Sequence, residues 1–133
     1  MPDTYVGKKI TRLEDDILLA GEATFIDDIQ LDGMLHLAVV RSQMAHARIA
    51  SINVSAARDL PGVAAVYTID DLLPVLSQER IPENFPTPGD RVDVGPYVLA
   101  RDEVCYVGEP IVAVIAENRY VAEDAAQLVV VDY

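Results

Sequence analysis

The stretch RSQMAHARI, Arg41 to Ile49, gathers the side chains best equipped for chemistry in this chain. Ser42 offers a hydroxyl, His46 an imidazole four residues later, and Arg41 and Arg48 fixed positive charges. A catalytic histidine needs a nucleophile or carboxylate within reach and a cleft to work in. Ser42 lacks the G-x-S-x-G turn that would present it as a nucleophile. As a metal ligand, His46 needs further His, Cys or carboxylate partners at suitable spacing. His36, ten residues away on a different element, leaves a shared site open without supporting one. The residues therefore favour a tight corner between two strands, with His46 in a structural post between Ala45 and Ala47. Arg41 and Arg48 then anchor backbone carbonyls or carboxylates. His36, between Leu35 and Leu37, is expected to be a buried, hydrogen-bonded core histidine.

Other candidates reduce to structure in the same way. Glu14–Asp15–Asp16 and Asp27–Asp28 are oxygen-rich, but neither has the spacing of a Ca²⁺ loop; adjacent acids are ordinarily a solvated face or a helix N-terminus. Glu109 in YVGEPIVAV has the chemistry of a general base. The simpler reading is a turn at Gly108 and a strand beginning at Pro110. Cys105, the only cysteine, excludes an internal disulfide and multi-cysteine zinc sites. Within an apolar strand it reads as a small buried hydrophobe with no basic neighbour to activate it. The seven glycines are dispersed, so no phosphate-cradling loop is present. No catalytic, cofactor-binding or metal-ligating residue is expected, and a small hydrolase is disfavoured for want of a nucleophile–base pair.

The elements that must position these residues follow from pattern and composition. One domain is expected over 1–133, since 133 residues with 51% apolar content can bury a core. With 22 acidic against 10 basic residues, the net charge of −12 disfavours nucleic acid and anionic lipid as partners. MPDTYVGKK lacks a secretory apolar core, and PIVAVIA is strand-length rather than membrane-spanning; a cytoplasmic location is expected.

Val6–Arg12 reads as a short strand, followed by a helical turn and an irregular crossing segment through Gly33. MLHLAVVR (Met34–Arg41) is apolar at nearly every position, as in a strand covered on both faces. HARIASINV continues after a corner at Ser42–Ala45, with Ala50, Ile52 and Val54 alternating with polar residues. Ser55 is placed to cap a short helix, Pro61–Gly62 turns the chain, and VAAVYTI and DDLL give a strand and a helical turn. Pro74–Pro96 holds five of the eight prolines and reads as a surface excursion. EVCYV, IVAVIA, a helix over about Arg119–Gln127 with Asn118 as N-cap, and LVVVDY complete the chain. Val121, Ala122, Ala125 and Ala126 share one helical face. This order predicts an α+β domain with a mixed β-sheet and two or three short helices.

Five fragments in this order carry a resemblance: GKKITRLEDDILLAG with FIDDI, LHLAVVRSQMAHARI, SAARDLPGVAAVYTIDDL, and YVGEPIVAVIAENRYVAEDAAQLVVVDY. Together they resemble the N-terminal α/β-hammerhead domain of molybdenum hydroxylases, the family of xanthine dehydrogenase, aldehyde oxidase and the carbon monoxide dehydrogenase large subunit. The family often has proline after the Arg-Ser pair, where this chain has Gln43–Met44.

The resemblance implies an oxidoreductase whose large subunit binds a molybdopterin cofactor and uses a glutamate base, with iron–sulfur clusters and FAD carrying electrons onward. Those loops and that glutamate belong to downstream segments, so the resemblance transfers no catalytic residue here. It implies a scaffold whose partners are the downstream molybdenum-binding domains and the iron–sulfur and flavin subunits. A natural Met1, six residues before the first fragment, would fit the branch with separate subunits, and VVVDY, where the family runs on into its larger portion, implies a domain fragment, a truncation or a split subunit. An exposed apolar patch and self-association are expected of the chain alone. The alternative is a free-standing acidic protein-binding module that uses Pro74–Pro96 as its contact surface.

Overall fold

Val112, Val114 and Ala116, alternate residues of one apolar run, are all fully buried, and the larger part of the chain is arranged around them. A computed structural model describes residues 6–82 and 95–133. Backbone contacts divide the chain into two units, Met1–Gly33 and Met34–Tyr133.

In the first unit, α1 spans Asp15–Ala20. The Asp15 carboxylate accepts from the Arg12 backbone N–H at 3.2 Å, and Gly21 closes the helix at φ 72°. A 3₁₀ turn follows at Ile26–Asp28, where the Asp28 carboxylate accepts from the Phe25 N–H at 2.9 Å. The acidic pairs thus serve helix and turn starts. Val6–Arg12, expected as a strand, is turn and irregular backbone. A strand without a ladder partner leaves its backbone groups to water and gains nothing from extension.

The second unit holds the remaining elements. They are β1 (His36–Arg41), β2 (Ala47–Arg48), β3 (Ser51–Asn53), α2 (Ser55–Arg58), β4 (Val63–Tyr67) and α3 (Ile69–Leu72), then β5 (Glu103–Val104), β6 (Pro110–Ala116), α4 (Arg119–Gln127) and β7 (Val130–Asp132). β6 is the centre of a three-stranded sheet, β1-β6-β4, while β2 pairs with β5 and β3 with β7. The class is α+β as expected. Every strand pairing among the described residues is antiparallel, however, and they form four short α-helices. The physical reason is that α4 does not return the chain to the sheet it left. It delivers β7 to β3, so the β6–α4–β7 crossover makes no parallel pair.

Local chemistry accounts for the helices. The Asn118 side chain accepts from the Val121 N–H at 2.9 Å, fixing the start of α4. Its Ala122 and Ala125 are buried, and Ala122 packs with Ala38 and Ala116 from β1 and β6, because only small side chains permit that approach. At α2, Ser55 is the first helical residue rather than the cap. Asn53 Oδ1 accepts from its backbone N–H at 3.1 Å and from its hydroxyl at 2.7 Å. The Asp71 carboxylate accepts from the Thr68 N–H and hydroxyl at 2.8 and 2.9 Å, and the N–H bond foremost holds it below the usual carboxylate range.

The three-stranded sheet has unequal faces. Ala38, Val114 and Val66 stand in register on the covered face. On the other face Leu37, Ile115 and Ala65 form one row, and Val39, Ala113 and Tyr67 the next. Leu37 is 62% exposed, so the expectation that β1 is covered on both faces is not met by this chain.

Asn118→Ala is expected to lower stability by about 1 kcal/mol by leaving an N-terminal donor of α4 unsatisfied, with Asn118→Gly costing less. Chemical denaturation at neutral pH measures both. Equal stability of Asn118→Ala and the unchanged chain contradicts the capping account.

Candidate functional site

The corner opened by Arg41 is held by backbone exchange. The Ser42 N–H donates to the Glu109 carbonyl at 2.9 Å, and the Gly108 N–H donates to the Ser42 carbonyl at 2.8 Å. Ser42 is buried, and its hydroxyl accepts from the Met44 N–H at 3.0 Å and donates to the Met44 carbonyl at 2.9 Å. Arg41 donates to the Gly108 carbonyl at 2.9 Å, the anchoring role expected of it. Ser42 is therefore committed to the turn and is not presented as a nucleophile.

His46 stands at the end of the corner, directly before β2, but it does not fill it. It is exposed, and its Nε2 lies 3.0 Å from Glu103 Oε2. His36 is half-buried at the start of β1 rather than a core residue, because it stands at the strand's end. Cys105 is exposed, also against expectation. The reason is strand alternation: Val104 is fully buried, so its neighbours Glu103 and Cys105 point outward. Glu109 is buried and accepts from the Cys105 backbone N–H, which places it in the turn and not in the role of a free base.

Glu103, Cys105 and Glu109 line a cleft of about 280 Å³ that Arg80, Asp102 and Tyr106 help to close. Arg80 lies 4.1 Å above the Tyr97 ring and donates to the Gly95 carbonyl at 2.6 Å. The cleft is otherwise acidic, with Asp102, Glu103 and Glu109 on its walls. Loss of water around the sulfur, and then the Glu109 and Glu103 carboxylates, push the Cys105 thiol up from its ordinary range; Arg80 acts in the opposite sense. Since Cys105 is exposed, repulsion by the two carboxylates is the contribution the geometry supports most directly. The thiol is thus protonated at neutral pH and a poor nucleophile.

A group of three ligating side chains, His46, Glu103 and Cys105, converges at the cleft rim, with one donor atom from each within 4.8 Å of the others. The sequence did not announce it: His46 and Glu103 are 57 residues apart and meet only because β2 pairs with β5. The polar–apolar–polar order of Glu103, Val104 and Cys105 was the available signal, and it depends on knowing that Val104 faces inward.

Comparison with known proteins supplies the relationship that the cleft does not. Residues 20–133 match the model described as "Aldehyde oxidase and xanthine dehydrogenase, a/b hammerhead domain". The chain belongs to this family.

The gamma subunit of the 6-hydroxypseudooxynicotine dehydrogenase complex of Paenarthrobacter nicotinovorans is 43% identical over 97% of the chain and 16% of the relative. The carbon monoxide dehydrogenase large chain of Afipia carboxidovorans is 42% identical over 96% and 15% respectively. Among solved structures, quinoline 2-oxidoreductase from Pseudomonas putida 86 superposes with a TM-score of 0.82 at 40% identity, covering 96% of this chain and 16% of that one. The hammerhead domain therefore spans about one-sixth of the length of such relatives. The matches run through β1 to β7. Residues 83–94, the middle of the Pro74–Pro96 excursion, lie outside the described residues.

Because Glu103 is one source of the repulsion at Cys105, Glu103→Gln is expected to move the pH midpoint of Cys105 alkylation downward. A rate–pH profile with a soluble alkylating reagent reads it. A midpoint unmoved or raised in Glu103→Gln contradicts the electrostatic account.

Proposed function

We propose that this chain is the structural, non-catalytic N-terminal domain of a molybdopterin-dependent oxidoreductase large subunit, in the xanthine dehydrogenase, aldehyde oxidase and carbon monoxide dehydrogenase family. The observation that carries the reading is the uncovered face of the β1-β6-β4 sheet. Leu37, Val39, Ala113, Ile115, Ala65 and Tyr67 form two apolar rows, of which Leu37 and Tyr67 are exposed and the other four half-buried, where a freely soluble domain would ordinarily finish the burial or place polar residues. Full burial of one large side chain such as Leu37 stabilises by roughly 1.5–3 kcal/mol, so covering this face is a substantial driving force. The occupant is the remaining polypeptide of the large subunit, and iron–sulfur and flavin subunits are the further partners of the assembly.

The chain's own residues do not suit the molybdopterin itself. Its described glycines are scattered, so no loop aims several backbone N–H groups at a phosphate. The cleft at Cys105 is walled by three carboxylates against Arg80, which repels an anionic cofactor. No reaction step is assigned to this chain. The electrons, the cofactor and the base belong to the rest of the large subunit and its partners.

No helix among the described residues is long and apolar enough to cross a membrane.

The double substitution Leu37→Glu with Tyr67→Glu tests the docking role. Both side chains are exposed on this face, so the isolated chain should keep its melting temperature within a few degrees. The same change in a large subunit carrying this domain should lower its molybdenum content and activity together. Stoichiometric molybdenum with turnover in the isolated chain, or an unaffected large subunit, overturns the proposal.

A further inference from the structure

Ala47 pairs with Val104 and Arg48 with Glu103 in the β2–β5 ladder. One step further along this register, His46 stands opposite Cys105. Val104 is fully buried beneath the ladder, so Glu103 and Cys105 share its outer side, where the imidazole of His46 already lies 3.0 Å from the Glu103 carboxylate. One nitrogen, one oxygen and one sulfur thus converge from two backbone segments, all within 4.8 Å of one another.

We propose that His46, Glu103 and Cys105 bind a divalent transition-metal ion of borderline softness, Zn²⁺ foremost. Tetrahedral Zn²⁺ with bonds of about 2.0–2.3 Å holds its ligand atoms roughly 3.3–3.8 Å apart. The three exposed side chains reach that spacing by small rotations, without movement of the ladder. A thiolate sulfur beside an imidazole nitrogen selects against Ca²⁺ and Mg²⁺, which prefer oxygen alone. The adjoining cleft of about 280 Å³ leaves the fourth position to water.

The charges around the group are compatible with a dication. Glu109 and Asp102 stand on the cleft wall, while Arg48, opposite Glu103 in the ladder, and Arg80 supply positive charge nearby. With a thiolate and a carboxylate as ligands the bound ion is neutralised, so the two arginines meet no net cation. The buried Glu109 carboxylate holds the Cys105 backbone N–H and so fixes where the sulfur begins. Binding must displace the thiol proton and requires a neutral imidazole, so affinity rises with pH. The ion would clamp β2 to β5, a ladder of two paired residues on each strand. This site is independent of the docking face, and it departs from the sequence-based expectation of no metal ligand because that expectation considered only linear spacing.

The test uses the metal-free full chain, titrated with Zn²⁺ against a chromophoric chelator and with Co²⁺ followed by absorbance. The expected result is one equivalent bound, a thiolate-to-cobalt charge-transfer band, and a melting temperature that rises with Zn²⁺ concentration. Cys105→Ser should abolish the band, and Cys105→Ser, His46→Ala and Glu103→Gln should each weaken Zn²⁺ by at least ~10-fold, as loss of even an outer-shell partner commonly does. All three side chains are exposed, so the metal-free variants should melt as the unchanged chain does. Absence of saturable binding at one equivalent overturns the proposal, as does Zn²⁺ affinity unchanged in both Cys105→Ser and His46→Ala.

Discussion

The antiparallel clasp of β6 between β1 and β4 is the constraint on which the larger unit depends. Val112, Val114 and Ala116 go under the helix-covered face, and every other element of that unit is placed by what this face requires. The small residues of α4 let it lie close to β1 and β6, and the turn at Gly108–Pro110 locks β6 to the corner after β1. Burial of these methyl-bearing side chains is nondirectional, whereas the register is fixed by hydrogen bonds on both edges of β6. A one-residue slip would exchange Val114 for Ile115 and turn the covered and uncovered faces over.

That same strand explains why the chain reads as part of something larger. Its two faces are both apolar, a pattern suited to burial on both sides, yet the described residues leave one side open at Leu37 and Tyr67. Membership of the hammerhead family and a span of about one-sixth of the relatives' length agree with a covering layer supplied by further polypeptide. On this reading, the domain contributes shape and surface while the redox chemistry belongs to the rest of the large subunit.

The sequence was most informative where one local signal decides the structure. Asn118 followed by an alternation of small and charged residues specified α4 from Arg119 to Gln127, and PIVAVIA specified β6, because cap and periodicity act over a few residues. It was least informative where a residue's face is set at a distance. Cys105 looked buried because its neighbours are apolar, but Val104 takes the inner side and turns the thiol outward. His46 looked like a corner filler, yet its partner Glu103 arrives only through a ladder closed across 57 residues. Val6–Arg12 has strand-forming residues without a partner strand, and Ser55 stands inside α2, just past the N-cap Val54, with Asn53 accepting its N–H. The misses at Cys105, His46 and Val6–Arg12 turn on long-range pairing, or on its absence, whereas the one at Ser55 is local.

The docking face can be interrogated directly by placing a cysteine at Leu37 in a Cys105→Ser background and following its modification by a soluble thiol reagent. The isolated chain should be modified at the rate of an exposed thiol, and the same residue within an intact large subunit should be protected by at least an order of magnitude. Equal rates in the two settings would contradict the claim that this sheet is built to be covered by the rest of the enzyme.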